Sequence, residues 1–426
     1  MEFSPMLQFL FLSAAERSRH PAIARAIHQA THRAIRQGEK IGLLLAGLLA
    51  CVSIALLACA SVALPAQAAE PIRIGSFLSV TGGASFLGDP EKKTLELYVE
   101  KINAAGGVLG RPLRLVVYDD GTDAEKAASL AKRLIEQDGV DLVIGGSGTP
   151  TSLAAAALME KAEMPYISLG GGVAITEPVR PWVFKVPHTD RMAAEKIIAD
   201  IKSRGIRNIA LLSENIGFGK SGRDQTLVVA AQAGIAILAD EVYGPKDPDV
   251  TAQLTRIRNT PGVEALFIFG TGQGPALASR NIRQIGLNLP VYQSHGVASK
   301  EFLRLVGDAA EGMRLPAASL TVADQLDPGD PQRPVVLAFK AAYEEAFKTE
   351  ATTFAGHAWD ALHLAVAALN RAGSADKAKF RDALEATSGF VGTGGIFTFT
   401  PFDHLGLTLD AFHMVEIRNG GWVRLP

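Results

Sequence analysis

From Glu70 onward, short apolar and β-branched runs alternate with segments whose apolar residues recur at helical spacing. The runs Ile72–Leu78, Leu113–Tyr118, Asp141–Gly145, Tyr166–Leu169, Asn208–Ser213, Ala236–Tyr243 and Ala265–Gly270 predict strands. Several are continuously apolar, as parallel strands are when helices cover both faces of the sheet. Between them, Leu95, Tyr98, Val99 and Ile102 fall at i, i+3, i+4 and i+7, and so do Ala127, Leu130, Ala131 and Leu134. Ala194, Ile197, Ile198 and Ile201 repeat the spacing, which puts one apolar stripe on each helix. Strand followed by helix, many times over, predicts doubly wound α/β sheets with right-handed crossovers. The pattern outruns one sheet, so two lobes are expected.

Ligands of open α/β sheets bind beyond the C-terminal ends of the strands. Four loops leave a strand and open a helix there: Ser79–Gly88, Gly145–Ser152, Glu214–Ser221 and Gly270–Gly274. The second, Gly145-Gly146-Ser147-Gly148-Thr149-Pro150-Thr151-Ser152, joins hydroxyls to the free N–H groups of a helix start, with Pro150 suited to the first turn. That combination cradles a carboxylate or phosphate, although an ordinary strand-to-helix turn has the same composition. It is no nucleophile elbow, because Thr149 stands where Gly-x-Ser-x-Gly needs glycine.

Two loops imitate nucleotide motifs and fail. Gly217-Phe218-Gly219-Lys220-Ser221 ends like a phosphate-binding loop, but the first glycine would have to stand at Glu214. Gly270-Thr271-Gly272-Gln273-Gly274 lacks the later glycine of a dinucleotide site, and Pro290 stands where its acidic residue belongs. His357, Asp360 and His363, at i, i+3 and i+6, spread over different helix faces rather than converging on a metal. Asp119 and Asp120 read as a solvated turn before Gly121, and Asp190 as the N-cap of a helix beginning near Arg191, with His188 beside it. No Ser–His–Asp or paired-carboxylate spacing emerges. Neither catalysis nor a metal or cofactor is expected.

Composition narrows the class. Of 426 residues 48% are hydrophobic and 20% charged, enough apolar content for sizeable cores, and a net charge of −2 offers no field for nucleic acid. Basic residues cluster only near the start, at Arg17, Arg19, Arg25, Arg33, Arg36 and Lys40, ahead of the charge-free run Ile41–Leu64 and of Pro65-Ala66-Gln67-Ala68-Ala69-Glu70. Residues 1–68 therefore read as a secretory signal cleaved after Ala68, placing the mature chain in the periplasm. The run is also long enough to stay as a membrane anchor, and Cys59 or Cys51, each after Leu-Leu-Ala, offers a lipid site. Both cysteines lie in this segment, so the mature chain has no disulfide and no thiolate ligand.

Several segments together resemble the branched-chain amino acid receptor family, the type I periplasmic solute-binding proteins of ABC transporters. They are Ile74-Gly75-Ser76-Phe77-Leu78-Ser79 with Gly82-Gly83 and Leu87-Gly88-Asp89; Asn103-Ala104-Ala105-Gly106-Gly107-Val108-Leu109-Gly110-Arg111-Pro112; Tyr118-Asp119-Asp120; Val143-Ile144-Gly145; Pro165-Tyr166-Ile167-Ser168; Gly217-Phe218-Gly219; and Ala310-Glu311-Gly312-Met313. The resemblance covers nearly all of Pro71–Pro426. It implies a type I periplasmic binding fold: two doubly wound, Rossmann-like lobes, residues 69–187 with 316–393 and residues 188–315 with 394–426. Three crossovers, near Val186–Thr189, Leu315–Ala318 and Gly392–Ile396, would join them.

It also implies a non-enzymatic monomer that closes on one small carboxylate ligand and docks on an inner-membrane permease driven by ATPases. The loop Ser147–Ser152, with Ser147, Thr149, Thr151 and Ser152, matches the family's carboxylate-binding loop. Gly171, Gly172 and Val173 match the next ligand loop, here without a hydroxyl. Phe218 and Gly272 or Gln273 match positions that are often aromatic, and Phe86 is expected in the pocket. His295, in Tyr292-Gln293-Ser294-His295-Gly296-Val297, stands where amino-acid receptors carry the acid that pairs with the ligand's ammonium. The resemblance extends to a branch that binds aromatic acids, so an amino acid and an amine-free acid both remain open.

Overall fold

The computed structural model describes residues 70–426 and, before them, Ala22, Arg25, Ala26, His28 and Gln29 in helical conformation. The cleavage site, the apolar run and both cysteines lie outside the described residues. Met1–Ala69 and Glu70–Pro426 are separate units.

The second unit opens with β1 (Ile72–Leu78), α1 (Ser85–Ala104), β2 (Leu113–Asp119), α2 (Ala124–Glu136), β3 (Leu142–Gly145), α3 (Thr149–Lys161), β4 (Tyr166–Ser168) and β5 (Val183–Lys185). Its strands form a parallel sheet in the order β2-β1-β3-β4-β5. Successive residues feed opposite faces, as the pleat requires. Leu142 and Ile144 join Ile72, Ile74, Leu95 and Val99 in one core, while Val143 joins Phe77, Ala127, Ala131 and Leu134 in the other. The helical stripes seen in the sequence are therefore the buried faces of α1 and α2.

The second sheet takes α4 (Asp190–Ser203), β6 (Asn208–Glu214), α5 (Gly217–Ala233), β7 (Ala236–Tyr243), α6 (Thr251–Arg258), β8 (Ala265–Phe269), α7 (Gln273–Gln284), β9 (Val291–Gln293), α8 (Lys300–Val306) and β10 (Arg314–Ala318). Its order is β14 (Gly421–Arg424), β13 (Phe412–Arg418), β10, β9, β8, β6 and β7. The strands from β10 to β7 run parallel, whereas β13 and β14 are added antiparallel. Ala194, Ile197, Ile198 and Ile201 of α4 pack on Ile209, Leu211 and Phe267.

Between β10 and β13 the chain returns to the first sheet as α9 (Arg333–Phe347), α10 (Thr353–Ala372), α11 (Lys377–Glu385) and the hairpin of β11 (Phe390–Val391) and β12 (Ile396–Phe397). All five residues of β10 pair with β13, so the boundary expected at residue 316 falls inside a strand of the second sheet, and the passage begins at Ser319. The third crossover was expected at Gly392–Ile396. Instead Phe397, Phe399, Leu405 and Leu407 stay in the first-sheet core with Ile72 and Leu95, and the chain crosses at Thr408–Ala411. Contacts this late in the chain outweigh the local turn chemistry of the glycine run.

Asp360 of α10 pins that hairpin. Fully buried, it accepts hydrogen bonds from the backbone N–H groups of Thr393 (2.5 Å) and Gly394 (2.8 Å). Asp360→Ala should leave both donors unpaired and cost about 2 kcal/mol, whereas Asp360→Asn keeps one acceptor and should cost less. Urea unfolding measures the difference.

Candidate functional site

The four loops chosen from the sequence converge. A cleft of about 1300 Å³ is lined by Ser79, Val80 and Gly82–Leu87, by Ser147–Thr151, by Glu214 with Ile216–Phe218, and by Thr271–Gly274, at the C-terminal ends of both sheets. From the expected set, Phe86, Ser147, Thr149, Thr151, Gly171, Phe218, Gly272, Gln273 and His295 line it. Ser152, Gly172 and Val173 do not; they stand behind the wall and hold it.

The first wall is the start of α3. The first turn of a helix has N–H groups with no preceding carbonyl to accept them. Gly146 makes the approach with φ +71°, and a Cβ there would lie 2.4 Å from Tyr166 Oη and 2.6 Å from Ser152 Oγ. Ser152 Oγ donates to Gly146 O (2.7 Å) and accepts from Ser168 Oγ (2.8 Å), which explains its place behind the loop. Thr149 Oγ1 accepts from Gly172 N (3.0 Å), tying α3 to the loop after β4. Ser147 Oγ accepts from Ser79 N (3.0 Å) and bonds Glu91 Oε2 (2.5 Å). Burial pushes the Glu91 carboxyl well above the usual range.

Two expectations are corrected beneath this wall. Asp120 is not solvated: it is fully buried and accepts from Ser79 Oγ (2.7 Å) and Thr122 N (2.8 Å). Asp190 is not the N-cap of α4, because Thr189 Oγ1 takes that role by accepting from Met192 N (3.1 Å). Asp190 Oδ1 instead accepts from Val173 N (3.1 Å), so the second lobe's first helix steadies the first lobe's ligand loop. From the other side, the fully buried Lys185 donates from Nζ to Gly171 O (2.9 Å). Desolvation lowers its ammonium to about 7.

The opposite wall is aromatic. Phe218 packs on Phe269 (5.1 Å between centroids) and edge-on to His295 (5.4 Å), while from the first-sheet side Phe86 of α1 meets Phe354 of α10 edge-on at 5.7 Å. His295 Nδ1 and His357 Nε2 are sealed from solvent without a hydrogen-bond partner, and both residues line the cleft. Desolvation first, then the charges of His188 and Lys185, holds both imidazoles well below their ordinary value, so they are neutral. The sequence placed His357 with Asp360 and His363 in one helix, and their separation holds. Asp360 faces the hairpin, and His363 stacks on Trp359 (3.9 Å). Among the described residues no three His, Cys, Asp or Glu side chains gather as a metal site.

Glu214, Ser79, Phe354 and His357 were not anticipated. The first two sit at the edges of loops already singled out, and strand-end position could have flagged them. Phe354 and His357 enter from α10, far along the chain, with no local signal. Glu214 Oε2 accepts from Thr271 N (3.0 Å), and burial raises its carboxyl from 4.5 to about 7. The folded state thus binds this proton more tightly than the unfolded chain. The corresponding stability is complete below about pH 4.5 and is lost as pH rises through about 7, by at most about 3 kcal/mol. Glu214→Gln should therefore lose less melting temperature than the parent between pH 5 and 8 in calorimetric scans.

Comparison with known proteins agrees with this geometry. A family model described as periplasmic binding protein matches residues 71–421. A leucine-, isoleucine-, valine-, threonine- and alanine-binding protein of Pseudomonas aeruginosa is 28% identical over 335 residues, 78% of this chain and 86% of its own length. A Leu/Ile/Val-binding protein homolog of Brucella melitensis is 26% identical over 72% of this chain and 80% of its own. The crystal structure of an extracellular ligand-binding receptor from Rhodopseudomonas palustris superposes with a TM-score of 0.78 at 28% identity, covering 83% of this chain and 99% of that one. A leucine-binding protein of Thermotoga maritima, at 22% identity, shares the fold with a TM-score of 0.74. With two doubly wound sheets, three crossovers and a cleft between them, this chain belongs to the periplasmic binding protein family and has its type I fold.

Proposed function

We propose that the chain is the periplasmic receptor of an ABC importer, which closes on a small carboxylate ligand and delivers it to the permease and its ATPases. The role is capture and release, without catalysis. The observation that carries it is the pairing of the α3 N-terminus and Gly171 loop on one lobe with Phe218 and His295 on the other, across one cleft. A Cβ on Gly171 would lie 3.2 Å from Phe218 Cε2, and one on Gly217 would lie 2.8 Å from Pro150 Cγ, so the walls already meet across the lobes. Helix-start amides and hydroxyls fit the carboxylate, and the phenyl rings fit an apolar body. The amino-acid-binding relatives support the same class of ligand.

A thermal-shift screen of branched-chain amino acids against benzoate- and cinnamate-type acids tests this. A true ligand should raise the melting temperature progressively with concentration, by mass action. A flat response to every small carboxylate would sink the proposal. A membrane-tethered receptor of the same fold is a second reading, favoured by the length of Ile41–Leu64. N-terminal sequencing of exported protein separates the two: the secreted receptor should begin at Ala69.

A further inference from the structure

We infer that Lys185 is a built-in substitute for a ligand's ammonium, and that it restricts the cleft to small apolar-bodied carboxylic acids without an amino group. The inference rests on the proposed carboxylate site and sharpens it. An α-amino acid carries its ammonium one carbon from its carboxylate, so a carboxylate on the α3 start would bring the ammonium beside Gly171 and His295. There it needs acceptors and a countercharge, since a buried cation without a partner is costly.

The backbone acceptor at that point is taken. The carbonyl of Gly171 already receives Lys185 Nζ at 2.9 Å. A second ammonium on that oxygen would sit against the first, and like charges at such range repel. The neighbouring groups present donors: Gly172 N is used on Thr149 Oγ1, and Val173 N on Asp190 Oδ1.

A free countercharge is also missing, since the carboxylate behind the loop, Asp190, holds Val173 N and faces Lys185. The carboxylates that line the cleft are Asp89, Glu214 and Glu301. Asp89 pairs with Lys93 (2.6 Å) and Glu301 with Arg304 (2.7 Å). Glu214 Oε2 is committed to Thr271 N at the end of β8 (3.0 Å), and burial raises its carboxyl to about 7, so at pH 6 it is mostly protonated. At the contact itself stands His295, an uncharged ring that can offer a nitrogen acceptor but no countercharge. An amine-free acid needs none of what is absent. Its carboxylate meets the helix start and its body meets Phe86, Phe218 and Phe354.

Matched acids that differ only in the amino group test this: 4-methylpentanoate against leucine, and 3-phenylpropanoate against phenylalanine. Titration calorimetry at pH 6, where Lys185 carries its proton, would be run on the mature chain. The parent should bind the amine-free member of a pair at least about tenfold more tightly. Lys185→Met, which frees the Gly171 carbonyl, and His295→Glu, which adds a countercharge, should each narrow or reverse that ratio. A merely structural Lys185 would weaken both members equally. The ratio is therefore the readout, and His295→Glu supplies it even if Lys185→Met fails to fold. Preference of the parent for the amino acids would overturn the inference and leave the receptor proposal standing. An unchanged ratio in both variants would overturn the roles given to these residues. Binding of no member of either pair would count against the inference and the carboxylate proposal together.

Discussion

Gly88→Ala should destabilise the protein by at least about 3 kcal/mol and weaken ligand binding more than tenfold. A Cβ at Gly88 would lie 2.3 Å from both C and O of Ser79 and 2.7 Å from its N, all backbone atoms that no rotamer change can move. Helix α1 would have to withdraw from the end of β1. The withdrawal would carry Glu91 away from Ser147, and the displaced Ser79 would lose its N–H bond to Ser147 Oγ. Stability and site therefore fail together. Denaturant unfolding and calorimetry measure the two effects, and a variant that melts like its parent would contradict the close approach of α1 to β1.

Gly171→Val should do the opposite, leaving the unliganded protein stable while lowering affinity by roughly two orders of magnitude. The backbone at Gly171 is not in the left-handed region, and a Cβ, 3.2 Å from Phe218 Cε2 and 3.6 Å from His295 Nε2, is accommodated once the Phe218 ring shifts by a few tenths of an ångström. The added methyls would occupy the space where the lobes meet around a ligand, preventing full closure. Losing burial of an apolar body and hydrogen bonds to the carboxylate supports an affinity loss of about 3 kcal/mol or roughly 100-fold. An unchanged dissociation constant, with the melting temperature also unchanged, would place the ligand elsewhere.

These contrasts show what the chain declares locally and what it does not. Sheet strands such as Ile72–Leu78 and helix stripes such as Ala194 to Ile201 are visible because a half-buried element must repeat its apolar residues at its own period. The four cleft loops are visible because glycine and hydroxyl residues punctuate strand ends. The fates of Asp120, Asp190 and Asp360 are not visible: the first two are short acids near a turn and the third lies inside a helix, and only the packed lobes decide that each is buried against backbone donors. The third crossover was misplaced for a related reason. The strands Phe390–Val391 and Ile396–Phe397 are too short to show a period, and the core that holds them combines Ala358 and Leu362 of α10 with residues as distant as Ile72 and Leu95. Within the site, Ser152, Gly172 and Val173 share a loop with lining residues yet face backward, a distinction that spacing alone does not encode.

The central claim is that two lobes close on a bound acid. The chain from Glu70 onward contains no cysteine, so Glu125→Cys and Lys246→Cys place single spin labels on the exposed start of α2 and on the opposite rim. Dipolar distance measurement between them, with and without whichever acid gives the largest thermal shift, is the direct test. The account predicts a broad distance distribution without ligand that narrows and shortens at saturation. The same distribution in both states, at a ligand concentration that saturates the calorimetric titration, would contradict it.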